Sequence, residues 1–212
     1  MWGDAFNTRA NKVRMHEWKQ SGVTGYYDQV AWLLPETMAE TADNLARNNL
    51  LANPYCIGPW GFLITDKPTH PSHGEMEKIL EHWGRTYEPF TEAYRRYGTM
   101  AYSVCEECFV ARDDKAWDNP EVLRDYRLYL KERYGDIAKI NEIWNAKFGG
   151  FDEINQISFA DAKTSRQPTR WLDQELHKVD RFNKVTEKIY DTIQQRDPGA
   201  GISIDCQGGM DY

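Results

Sequence analysis

Two adjacent glutamates, Glu106 and Glu107, close the segment MAYSVCEE (Met100–Glu107), whose other residues are mostly small, aromatic or β-branched. A carboxyl held in a partly apolar pocket keeps its proton at neutral pH and can pass it to a leaving group. Tyr102, Phe109 and Trp60 are candidate walls for such a pocket. The plainer alternative is a pair of solvated loop carboxylates facing Arg112 or Lys115. Successive strand residues face opposite sides of a sheet, so one glutamate is expected to face a site and the other to face away. Cys105 and Cys108 flank the pair as a lone CxxC, with Cys56 and Cys206 elsewhere. Without a second CxxC this spacing is a weak metal or redox signal, and buried free thiols are the expectation. A four-cysteine zinc site is the alternative. His16, His70, His73, His82 and His177 form no HxH or HExxH pattern, so no metal or other cofactor is implied.

The elements that must position these residues follow one another in a regular order. Apolar residues at helical spacing predict a helix over Arg9–Ser21, and GVTGYY (Gly22–Tyr27) reads as a short strand. PETMAETADNLARNN starts a helix at Pro35, a residue favoured at the first helical position. LLANPYCIG (Leu50–Gly58) reads as the next strand, Gly74–Tyr97 as a helix closed by Gly98, and Met100–Glu107 as a third strand. Helices are predicted from Asn119-Pro120 to Gly135, over Asp136–Phe148, and over Trp171–Arg196; Phe151–Gln167 is read as irregular. DPGA then turns the chain into GISIDCQ (Gly201–Gln207).

Strands alternating with helices predict an α/β fold with a parallel sheet. No GxGxxG or GxxxxGK[ST] follows the first strand, which removes support for a nucleotide-binding version. The remaining candidate is a partial (β/α)8 TIM barrel, residues 1–212 forming one catalytic domain. A whole barrel takes about 250 residues, and four clear strands are visible. Barrel sites lie at the C-terminal ends of the strands. That rule selects Tyr26-Tyr27-Asp28, Tyr55-Cys56, Glu106-Glu107 and Asp205-Cys206-Gln207.

Composition narrows the partners. The net charge of −7, with no cluster of Lys and Arg, argues against nucleic acid. No apolar run approaches the roughly 18 residues that span a bilayer, so no membrane partner is expected. Aromatic residues are 13% of the chain, enough either to fill a core or to stack on sugar rings. Trp60 and Trp117, in predicted loops, are the stacking candidates; Trp144 and Trp171 are expected to pack helices.

The segment RDYRLYLKERYGDIAKINEIWNAKFGGFDEI (Arg124–Ile154) resembles the stretch that follows the catalytic acid in glycoside hydrolase family 42, the β-galactosidases. The shared pattern is Tyr134-Gly135, Ile140-Asn141, Trp144, Phe148, Phe151 and Ile154. Upstream, AYSVCEE resembles the family's fourth barrel strand, which ends in Asn-Glu or Asp-Glu. The resemblance implies a clan A barrel represented by about strands 2–5. It implies a two-carboxylate retaining mechanism in which Glu107 is the acid/base. Glu106, standing where Asn or Asp is expected, is the alternative. The nucleophile of the family comes from a later strand, near the seventh, and is not among these residues. The implied partner is a β-galactoside-like or polysaccharide substrate; Tyr55, Asp205 and Gln207, by their places at strand ends, and Trp60, in a loop, are the residues expected to contact it. A non-catalytic carbohydrate-binding barrel is the competing expectation. Without that nucleophile the chain alone is expected to be nearly inactive; an open partial barrel also exposes sheet edges, so either poor behaviour alone or association with another chain, a homo-oligomer included, is expected.

Overall fold

The computed structural model describes residues 2–3, 15–29, 35–55, 76–106, 117 and 119–205, with backbone alone for 2–3, 26–29, 35–37, 105–106 and 205. The chain divides into two units. The first comprises Met1–Trp60, Glu81–Phe109 and Thr186–Tyr212; the second comprises Gly61–Leu80 and Val110–Val185.

The first unit holds a parallel sheet in the order β1 (Trp2–Gly3), β2 (Gly25–Gln29), β3 (Leu51–Tyr55), β4 (Ala101–Glu106) and β5 (Gly201–Asp205). Sequential order with every neighbour parallel is the pattern of repeated βα units. Between β2 and β3 lies α1 (Pro35–Arg47), whose Met38, Ala42 and Leu45 recur at helical spacing and are buried. Between β3 and β4 lies α2 (Met76–Tyr94). Its stripe of Ile79, Trp83, Tyr87, Phe90 and Tyr94 is buried throughout. Gly98, at φ 72°, ends that connection in a conformation that L side chains adopt at a cost. Residues 15–20 are helical as well.

The second unit is helical. In α3 (Pro120–Tyr134), Asn119 caps the N-terminus by accepting the Glu121 amide at 2.9 Å, and Gly135 closes the C-terminus at φ 76°. Val122, Tyr126 and Leu130 form its buried face. Asp136 caps α4 (Ile137–Trp144), which buries Ile140 and Trp144. The segment 151–167, expected to be irregular, contains a 3-10 turn (Phe151–Glu153) and a short helix, α5 (Phe159–Thr164). The reason is local chemistry: Ser158 Oγ accepts the Asp161 amide at 3.0 Å, a cap that starts a helix too short to show periodicity. The extended stretch between them is tied down by side chains of α6 (Pro168–Arg196). Gln174 exchanges two hydrogen bonds with the Ile157 backbone, at 3.0 and 3.2 Å, and Arg170 donates to the Asn155 carbonyl at 2.9 Å.

Asp173 of α6, only 1% exposed, gathers the motif residues read from the sequence. It accepts hydrogen bonds from Tyr134 Oη and Trp144 Nε1, each at 2.7 Å, and Arg133 Nε lies 3.3 Å away. Asn141 bonds both backbone groups of Phe148, at 2.9 and 2.8 Å, closing the turn after α4. The YG…N-x-x-W pattern is thus a packing signature in this chain.

Candidate active site

Parallel strands place their C-terminal ends together, and the register fixes which residues share a row. Gln29 stands opposite Tyr55, Tyr55 opposite Ser103, and Ser103 opposite Ser203. Alternation along each strand separates two faces. Ala52, Tyr102 and Val104 belong to the helix-covered face: all three are buried, and Tyr102 Oη donates to Asp197, just past α6, at 2.8 Å. Tyr102 is therefore not a wall of an acid pocket, which corrects the sequence expectation; its parity puts it on the other side. The opposite face carries Asn53, Tyr55, Ser103 and Ser203. Asn53 Oδ1 and Ser203 Oγ are buried and make no hydrogen bond. Barrel interiors are ordinarily filled by branched apolar side chains, so a polar row here is a departure. Of this row, Tyr55 alone was expected from the sequence to face a site. The other three were legible as the polar alternate positions of LANPY, AYSVCE and GISID.

Near the end of β4 the ladder changes step. Ser103 pairs with Ser203, but the next pairs are Cys105 with Ile204 and Glu106 with Asp205. One extra residue, Val104, is accommodated as a β-bulge, a feature common beside active sites. The backbone thereby brings two of the expected site residues, Glu106 and Asp205, opposite each other. Tyr55 is 3% exposed at the end of β3. Glu107, Trp60 and Gln207 lie outside the described residues, as do Phe109, Arg112, Lys115, Cys56, Cys108 and Cys206. Among the described residues no three His, Cys, Asp or Glu side chains form a metal-sized group, and no helix is long and apolar enough to cross a membrane.

A second ionisable cluster lies within the helical unit. His177, 1% exposed, has Nε2 3.1 Å from Asp125 Oδ2, and Arg181 Nη1 donates to the same oxygen. Trp117, Tyr126 and Tyr129 pack around the imidazole with centroids at 5.8, 5.2 and 5.4 Å. Burial pushes the His177 pKa below its ordinary value, against the pull of Asp125. Burial opposes ionisation of Asp125, yet the His177 hydrogen bond and the Arg181 charge together hold its carboxyl below the usual range. Trp117, 3% exposed, is a core residue and not a sugar platform. Trp144 packs as expected, and Trp171 meets Phe159 edge-on at 5.0 Å.

No curated protein sequence matches the chain. Among solved structures, the catalytic domain of a beta-amylase from Paenibacillus polymyxa superposes with a TM-score of 0.59 at 12% identity, over 92% of this chain and 62% of that one. An exo-beta-agarase superposes with a TM-score of 0.55 at 13% identity, over 89% of this chain and 28% of that one. Both are glycoside hydrolases with TIM-barrel catalytic domains, and at these identities the likeness is one of fold. The chain spans less than two thirds of the length of either. The sequence profile of glycoside hydrolase family 42, described as beta-galactosidase, matches residues 70–209. That match runs from the approach to α2 through β5, covers more than half of the chain and includes both glutamates, so the chain belongs to glycoside hydrolase family 42.

Proposed function

We propose that this chain, with its strands β1–β5, is part of a (β/α)8 barrel that hydrolyses O-glycosidic bonds by a two-carboxylate retaining mechanism, with Glu107 as acid/base. The observation that carries the reading is the position of Glu107: it directly follows the end of a central parallel strand, within the family match. Barrel chemistry is built at that end of the sheet. In a retaining mechanism the acid/base protonates the leaving oxygen, then takes a proton from water as the second carboxylate leaves the anomeric carbon. Glu106 is the alternative for that role, since it stands where the family carries Asn or Asp. Tyr55, Trp60, Asp205 and Gln207 are the proposed sugar contacts, on their places at or just beyond strand ends. A β-galactoside-like substrate is supported by the family, and a polysaccharide by the fold shared with a beta-amylase and an exo-beta-agarase.

The test is kinetic. In the protein that carries these residues together with the rest of its barrel, Glu107→Gln should lower kcat on an alkyl glycoside by about 100- to 10,000-fold. An aryl glycoside with a good leaving group needs less acid assistance, so its glycosyl-transfer step should suffer less. Full activity of Glu107→Gln alongside an inactive Glu106→Gln would move the role to Glu106. Sugar binding without turnover in the unaltered protein would favour the carbohydrate-binding alternative.

A further inference from the structure

The bulge in β4 leaves Val104, with its backbone carbonyl, without a register partner on β5. A strand residue inside a sheet normally gives that group to its neighbour strand, and a buried carbonyl without a partner is costly. Val104, the residue skipped by the register, is 2% exposed. Its carbonyl accepts a hydrogen bond from Tyr87 Oη at 2.7 Å, in a buried setting. Tyr87 is fully buried in the apolar stripe of α2, with its ring 6.0 Å from that of Phe90. The hydroxyl therefore gives a buried partner to the carbonyl of the bulged residue.

Without the bulge, Val104 would pair with Ile204 and Cys105 with Asp205, and Glu106 would stand one place further along β5. A one-residue slip exchanges the two faces of a strand. The presence of the bulge thus decides which of two adjacent positions, Cys105 or Glu106, stands level with Asp205. Resting on the glycosidase reading above, we propose that Tyr87 is a positioning residue for that reaction: by holding the Val104 carbonyl it fixes the β4 register that sets the place of Glu106, the residue directly before the proposed acid/base.

Tyr87→Phe removes the hydroxyl and keeps the ring. The β4–β5 register can be read without activity, from a crystal structure or from interstrand nuclear Overhauser effects between Glu106 and Asp205. The expected result is loss of the Glu106–Asp205 pairing in favour of Cys105–Asp205, or a mixture of both registers. In the active protein, kcat on a glycoside with a poor leaving group should fall about tenfold or more, with KM within about twofold. The acidic or basic limb of the kcat–pH profile should shift, and a substrate with a good leaving group should be affected least. Ile79→Val, a small truncation on the same stripe of α2, should change neither register nor leaving-group dependence. Retention of the native register in Tyr87→Phe overturns the proposal, and so does a slipped register with unaltered kcat and pH profile. Sugar binding without turnover in the unaltered protein would refute the glycosidase reading instead, leaving the register result to stand by itself.

Discussion

Asp173 shows how much one buried carboxylate can organise. With Tyr134, Trp144 and Arg133 all directed at it, it replaces its lost hydration with protein donors, the condition for burying a charge at all. Asp173→Asn should cost about 3 kcal/mol, because it weakens two short hydrogen bonds and leaves Arg133 without its anion. The urea midpoint, followed by far-ultraviolet circular dichroism, would measure it. His177 ties stability to pH. Its folded-state pKa lies below 6.5, so the unfolded chain binds a proton that the folded chain refuses. Its contribution is therefore full above pH 6.5 and shrinks as pH falls from there toward the folded value. Asp125 acts lower: its folded pKa lies below 3.8, so its contribution is present above that pH and disappears as acid protonates it. Stability measured by urea unfolding should start to fall below about pH 6.5, and His177→Gln should flatten the curve just below that pH. An equal decline in both proteins would show that another group is responsible.

At the scale of elements, helix ends and the bulge carry most of the local specificity. Gly135 sits at φ 76° with nothing within 4 Å of where a β-carbon would stand, so an alanine there meets strain in the backbone and no clash. Gly135→Ala should cost roughly 1–2 kcal/mol, detectable as a lower thermal midpoint, while function-related kinetics stay unchanged. End signals also separate the elements legible in the sequence from those that were not. The helices over Pro35–Arg47, Met76–Tyr94, Pro120–Tyr134 and Pro168–Arg196 are long, periodic and marked by Pro, Asn or Gly at their ends. The helix Phe159–Thr164 has six residues and a single buried one, Ala162. Its existence depends on a serine cap, a signal that periodicity does not register.

For the molecule as a whole, the sheet order leaves β1 and β5 with one neighbour each among the described residues. Unpaired strand edges are templates for association. The isolated chain should therefore show an average mass by light scattering that rises with concentration in the micromolar range, where exposed edges begin to pair. A monomer mass that holds over a tenfold dilution would contradict this. The polar row of Asn53, Tyr55, Ser103 and Ser203 belongs to the same scale, since it exists only when three strands lie side by side.

Strand–helix alternation, the sheet's parallel sense and the place of Glu106 at a strand end all follow from the order of residues, because periodicity and end signals act over a few neighbours. The motif Tyr134-Gly135…Asn141…Trp144 was equally visible, but its meaning was not: only packing shows these residues converging on Asp173 and Phe148. The register of Glu106 against Asp205 was beyond the sequence for one physical reason. Alternation along a strand predicts faces only while the ladder keeps step, and whether it does so is decided by a partner from elsewhere, here the hydroxyl of Tyr87, seventeen residues before Val104.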